Sequence, residues 1–305
     1  MMSFSSDLKK EISTKIDKAE HCRIAELSGI FSLNARLYND SNVPYIRIKT
    51  DVTYMMDIVL KMIRLLFDFT KAEIMIDEEE SENASVTIIG DKAVEQVLMK
   101  LKLTEDDTRL SSDDIIIQKE CCKKAFLRGL FLARGSVNDP NKSYQMEIVV
   151  SNEYRVDQLI HILNSFGLEP KSFKRRSHFV VYVKDSNSIS EIIGILGASN
   201  AFMEFENIRI YKDLRNSINR EVNCETANIS KITEAAAKQI NDIKIIEEKK
   251  GLKSLSAPLL ELATIRLENP DLSLKELGDM VSPPIGKSGV NHRLRRISEI
   301  ADSLR

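Results

Sequence analysis

Residues 22–35 and 122–135 of this chain are close to the same segment written twice. Cys22, Ala25, Leu27, Gly29 and Phe31 reappear as Cys122, Ala125, Leu127, Gly129 and Phe131, at a constant offset of 100. An internal repeat decides the architecture before any local reading does. Both segments have the apolar periodicity of a helix, and each keeps a glycine in its interior, where glycine costs ~1 kcal/mol against alanine. Close approach of a second backbone is the usual reason to keep one there. The two helices are therefore expected to cross glycine to glycine, one from each repeat.

The stretches downstream of the two helices are also alike. After the first come a strand at Val43–Lys49, a helical stretch at Met55–Ile63, strands at Ala72–Ile76 and Ser85–Ile89, and a helix at Lys92–Leu101. After the second come a strand at Ser143–Ser151, a helix at Tyr154–Phe166, strands at Lys171–Lys174 and Phe179–Val183, and a helix at Ser188–Leu196. Counting a short first strand directly after each motif helix, the one least marked in the sequence, each half reads α-β-β-α-β-β-α, so two halves make one α+β unit with a pseudo-twofold axis. The expected organisation is a first repeat over 1–112, a second over 113–212, a linker over 213–228, where asparagines collect, and an all-α domain over 229–305.

The 305 residues carry 44 Lys and Arg against 46 Asp and Glu. A whole-chain basic signature for nucleic acid is absent, so any DNA contact has to be local. No run approaches the ~18 consecutive apolar residues of a membrane span, and the opening Met1–Lys10 lacks the apolar core of a secretion leader. A cytoplasmic protein is expected, with neither membrane partner nor cofactor. The four cysteines, Cys22, Cys121, Cys122 and Cys224, contain no Cys-x-x-Cys pair. They suggest neither a disulfide framework nor a zinc site. His21 with Cys22 and Cys121 with Cys122 do stand at equivalent places in the two repeats, where a soft metal or redox cluster is conceivable. Free cysteines filling buried space are the preferred reading, and no metal is expected.

The paired Leu-x-Gly-(Ile/Leu)-Phe helices resemble the LAGLIDADG motifs of homing endonucleases. That resemblance implies two motif helices packed on each other beneath a saddle of sheets that embraces DNA. It also implies an acidic residue at the eighth motif position, to hold divalent metal. Counting from Leu27 and Leu127, the eighth positions here are Asn34 and Arg134. An amide is a poor ligand for a hard cation and a guanidinium repels it, so the scaffold is expected without the catalyst. Tyr45, Arg47 and Lys49 alternate onto one strand face. With Lys174, Arg175 and Arg176 of the second repeat, Arg47 and Lys49 are candidates for a secondary DNA contact. The matching first-repeat hairpin is acidic (Asp77, Glu78, Glu79, Glu80, Glu82) and would repel a phosphate backbone. That asymmetry points to a protein-docking or regulatory role for this unit, with at most one-sided DNA contact.

Beyond the linker, helices are expected at Ile229–Glu248, Ser256–Leu267, Ser273–Val281 and from Lys287 to about Leu304. Ser273 and Glu276 form a capping box. A short helix, a break over Ser282–Gly286 and a longer basic helix make a helix-turn-helix arrangement. On the last helix Val290, Leu294, Ile297, Ala301 and Leu304 recur at core spacing. That leaves Lys287, Ser288, Asn291, His292 and Arg295 as an outward stripe flanked by Arg293 and Arg296. Asparagine and arginine are the types that make bidentate contacts with base edges, and Lys287 lies where helix amides favour phosphate. With this segment, the chain from about Phe4 to its end resembles the WhiA family of bacterial sporulation and cell-division regulators. The resemblance implies a non-enzymatic DNA-binding regulator, associated with the nucleoid, with a role in cell division, chromosome segregation and, where present, sporulation transcription. Expected partners are double-stranded DNA and either a regulatory protein or RNA polymerase, with the chain a monomer because its dyad is internal. A nucleoid-associated architectural binder and an adaptor that recruits through its N-terminal unit are the alternatives.

Overall fold

Helix α2 (Glu20–Asn34) and helix α5 (Glu120–Arg134) are the two copies of the repeated segment, and they form the buried centre of the first unit. In the computed structural model, which describes residues 3–50, 53–70, 72–78, 84–106 and 109–305, they cross at their glycines. A Cβ on Gly29 would stand 2.7 Å from the Phe126 carbonyl oxygen, and one on Gly129 would stand 2.1 Å from that of Glu26. Each helix thus has the other's backbone where a side chain would be, which accounts for glycine in both.

Around this pair each repeat builds the expected α-β-β-α-β-β-α sequence. In the first, α2 is followed by β1 (Ala35–Asp40), β2 (Val43–Thr50), α3 (Thr53–Leu66), β3 (Ile74–Glu78), β4 (Ala84–Ile89) and α4 (Asp91–Lys100). A hairpin of β5 (Leu103–Asp106) and β6 (Arg109–Ser112) was not expected. It extends the first sheet to six strands in the order β3-β4-β2-β1-β6-β5. In the second, α5 leads into β7 (Gly135–Val137), β8 (Met146–Val150), α6 (Glu153–Asn164), β9 (Lys171–Arg175), β10 (His178–Val183) and α7 (Ser186–Leu196). That sheet has four strands, β7-β8-β10-β9. Alternation sets which face is buried: on β2, Ile46, Ile48 and Thr50 point into the core. An unforeseen helix, α1 (Phe4–Ser13), buries Phe4, Leu8 and Ile12, spaced by four residues on one face. Of the acidic hairpin, Glu79, Glu80 and Glu82 lie outside the described residues, as do the side chains of Asp77 and Glu78.

The chain divides between Lys212 and Asp213 into two compact units. The expected linker over 213–228 needs correction: it is helical throughout, within α8 (Ser199–Lys250). The asparagines that suggested a linker each cost a helix only ~0.7 kcal/mol, whereas glycine and proline are the residues that break one, and α8 contains neither. After α8 come α9 (Ala257–Glu268), α10 (Leu274–Met280) and α11 (Lys287–Asp302). Ile243 and Ile246 of α8 share a core with Leu262, Leu277, Val290, Leu294 and Ile297. Arg266 fixes the layout from within. Its guanidinium donates to Gln239 Oε1 on α8 at 2.8 and 3.0 Å, and to the Leu272 carbonyl before α10 at 2.6 Å. Among the described residues no helix is long and apolar enough to cross a membrane.

Candidate nucleic-acid interface

The start of α10 is closed by the capping box read from the sequence: Ser273 N donates to Glu276 Oε2 at 2.8 Å, and Glu276 N to Ser273 Oγ at 3.3 Å. Hydrogen bonding from the Ser273 side chain and then from its backbone N–H holds the Glu276 carboxyl below the usual carboxylate range. The break after α10 is tied back at both ends. Ile285 N donates to the Gly278 carbonyl at 3.0 Å, and Ser282 N to Glu261 Oε1 of α9 at 2.9 Å. So the turn, although longer than the usual three or four residues, is held to the two preceding helices.

Helix α11 then presents two faces. Val290, Leu294, Ile297 and Ala301 are buried and Leu304 partly so, while Lys287, Ser288, Asn291, His292, Arg295 and Arg296 are exposed. Gly286 gives the helix no side-chain cap, so its first-turn amides remain open to an anion beside Lys287. From Lys287 to Ile297 the helix carries four fixed cations and no acid. One member of the expected set behaves differently: Arg293 is half-buried and donates to the Pro258 carbonyl at 3.4 Å, so it anchors α11 to the start of α9. Arg295 and Arg296 reach Glu299 at 3.5 and 3.2 Å. All three of those side chains are largely exposed, and such pairs are weak enough to yield to a phosphate or a base.

In the first unit, the strand register brings together arginines that the sequence pattern had not connected. Arg47 lies opposite Arg36, and Arg36 opposite Arg109, so three guanidiniums run across β2, β1 and β6 on one face. Arg36 is held below its ordinary value, first by burial and then by Arg109. Arg47 lies over the Tyr45 ring, which stacks on Tyr38, while Lys49 is exposed farther along β2. Residues Lys174, Arg175 and Arg176 are exposed at the β9–β10 turn. Only cross-strand register could have revealed Arg36 and Arg109, since 73 residues separate them.

At the C-terminal ends of the motif helices, Arg134 Nε donates to Asn34 Oδ1 at 3.0 Å. The small hollow beside them is lined by Arg36, Arg134, Val149, Ser151 and His178, with no carboxylate among its described residues. These residues do not fit the divalent metal that a LAGLIDADG endonuclease places there, because they supply cations where the ion needs anionic oxygen. Between the helices, Arg128 forms a two-pronged pair with buried Glu26, at 3.0 and 2.7 Å, and also meets Asp17. At the N-terminal ends, His21, Cys22, Cys121 and Cys122 come together, their ligand atoms within 4.8 Å of one another. Burial pushes the Cys22 thiol up to about 12, and the neighbouring Cys121 thiol adds to the shift.

Comparison with known proteins agrees with this division. The model of the WhiA C-terminal HTH domain matches residues 218–301, and that of the WhiA LAGLIDADG-like domain matches residues 123–215. A "Probable cell division protein WhiA" of Lachnoclostridium phytofermentans is 41% identical over 312 residues, covering 100% of both chains. One from Clostridium tetani is 40% identical, covering 99% of this chain and 98% of its own. Among solved structures, full-length DUF199/WhiA from Thermatoga maritima covers 99% of both chains with a TM-score of 0.57 at 23% identity. With that family's models matching residues 123–215 and 218–301, and curated members alike along the whole length, the chain belongs to the WhiA family of cell division proteins.

Proposed function

We propose that this protein is a non-enzymatic DNA-binding regulator of bacterial cell division and chromosome segregation, and of sporulation transcription in cells that sporulate. It acts in the cytoplasm on the nucleoid. Double-stranded DNA is read by α11, and the LAGLIDADG-like unit serves as the dock for a regulatory protein or RNA polymerase. The observation that carries the reading is the exposed, acid-free stripe at the start of α11. Asn291 and Arg295 stand there as base readers, Lys287 and Arg296 as phosphate contacts, Ser288 and His292 as flanking donors, and Arg293 as the anchor that sets the helix. The cation pair Arg36 and Arg134, at the place of the endonuclease metal, supports the loss of nuclease chemistry.

The test is fluorescence anisotropy of the full-length chain on a promoter duplex and a scrambled duplex over a salt series. The Asn291→Ala/Arg295→Ala double variant is measured alongside. Each bidentate base contact is worth ~1–3 kcal/mol of discrimination, so wild type should prefer the promoter by more than about tenfold and the variant should lose that preference. Equal binding of both duplexes by wild type and variant, with a steep salt slope, would sink the sequence-reading role. That outcome would favour an architectural binder that holds phosphate alone, for which the Arg36, Arg47 and Arg109 row offers a second surface.

A further inference from the structure

Helices α2 and α5 begin side by side, and each contributes two soft ligands from its first turn: His21 and Cys22 from one, Cys121 and Cys122 from the other. His21 Nδ1 is 3.2 Å from Cys122 Sγ and 3.3 Å from Cys22 Sγ. A tetrahedral zinc ion, with Zn–S near 2.3 Å and Zn–N near 2.05 Å, holds its ligand atoms roughly 3.5–3.8 Å apart. The widest separation in the cluster, 4.8 Å, exceeds this by about 1 Å, which small rotations of the exposed His21 and Cys121 side chains cover. Space-filling explains Cys22 and Cys122, which are buried, but leaves unexplained why exposed Cys121 and His21 gather onto them.

We propose that these residues form a Cys3His zinc site that clasps the two repeats together at the N-terminal ends of their motif helices. Three thiolates and an imidazole, without a carboxylate, select zinc over magnesium or calcium. Four protein ligands leave no open coordination position, which makes the site structural. On loading, each of the three thiols releases its proton to solvent, and neutral His21 binds through Nδ1 while Nε2 keeps its proton. The loaded centre carries one net negative charge. The ligands sit in the first turns of two helices, and neither Ala19 nor Lys119 caps its helix with a side chain, so two helix dipoles stabilise that charge. A cavity of about 230 Å³, lined by His21, Gln118, Lys119 and Cys122 among others, gives the ion its way in.

The test is metal analysis of the full-length chain, expressed with zinc and purified without chelator, followed by Co²⁺ replacement and optical spectroscopy. About one zinc per chain is expected, with the intense visible bands and thiolate charge-transfer absorption of a tetrahedral cobalt site. Exposed Cys121→Ser should lower zinc content roughly tenfold or more while circular dichroism shows a folded chain. Cys224→Ser, outside the cluster, should leave zinc unchanged. Wild-type protein without zinc and without the cobalt spectrum would overturn the proposal. So would full zinc retention in Cys121→Ser, or a mass two hydrogens lighter that maps to a disulfide among these cysteines in zinc-free protein.

Discussion

The two repeats agree where they touch each other's backbone and disagree where they meet different surroundings. Gly29 and Gly129, Ala25 and Ala125, and Leu27 and Leu127 are matched and buried at the crossing. One or two positions away, Glu26 faces the ion pair with Arg128, whereas its counterpart Phe126 is an apolar core residue. Ser28, the counterpart of Arg128, donates to the Leu101 carbonyl at 2.9 Å. The first sheet includes the β5–β6 hairpin and with it Arg109, while the second has four strands among the described residues. Backbone contact tolerates no variation, and side-chain environments on opposite sides of the axis were free to diverge.

That contrast can be broken at several points. The largest expected effect is at the ion pair, because burial already raises the Glu26 carboxyl to about 7 and Arg128 is what counters that. Arg128→Ala should cost about 3–5 kcal/mol in chemical denaturation, and Glu26→Leu/Arg128→Met should recover most of it. A double variant no more stable than Arg128→Ala would show that the pair is needed for packing rather than for its charge. Next come the glycines: Gly129→Ala, whose new Cβ would stand 2.1 Å from a carbonyl oxygen, should cost about 3 kcal/mol. Gly29→Ala, at 2.7 Å, should cost less, toward ~1 kcal/mol. Equal losses in thermal unfolding would mean that the crossing is more symmetric than its geometry. Ser28→Ala should cost only about 1 kcal/mol, the worth of one buried hydrogen bond. The smallest effect concerns the arginine row. If DNA binding rests on α11, Arg36→Gln/Arg109→Gln should leave the salt slope of DNA affinity unchanged. A slope reduced by roughly one per arginine removed would place the first sheet on DNA.

Much of this was readable in advance, for identifiable reasons. The offset of 100 exposed the dyad because glycine inside a helix has few explanations besides close approach. The capping box and the four-residue spacing of Val290 and Leu294 marked the C-terminal helices because local chemistry sets both. The features that escaped depended on partners distant in sequence. Arg36 meets Arg109 through strand register, and Arg293 reaches the Pro258 carbonyl on another helix, whereas the gathering of Cys22 and Cys121 follows from the equivalence of the two repeats. Residues 213–228 misled for the opposite reason. Composition suggested a linker between domains, but nothing in that stretch interrupts a helix that begins at Ser199 and runs to Lys250.

Because both motif helices lie on one chain, their crossing has a property that a pair of separate subunits lacks. A homodimer built on the same axis would have to place Glu26 and Arg128 at every copy of their positions, and its assembly would weaken on dilution. Here the second helix is always present at the effective concentration set by the connecting chain. A mutation can therefore be accepted on one side without being imposed on the other. A core built from two similar halves can keep a salt bridge on one flank and a phenylalanine on the other, and unfolding of this unit should show no dependence on protein concentration.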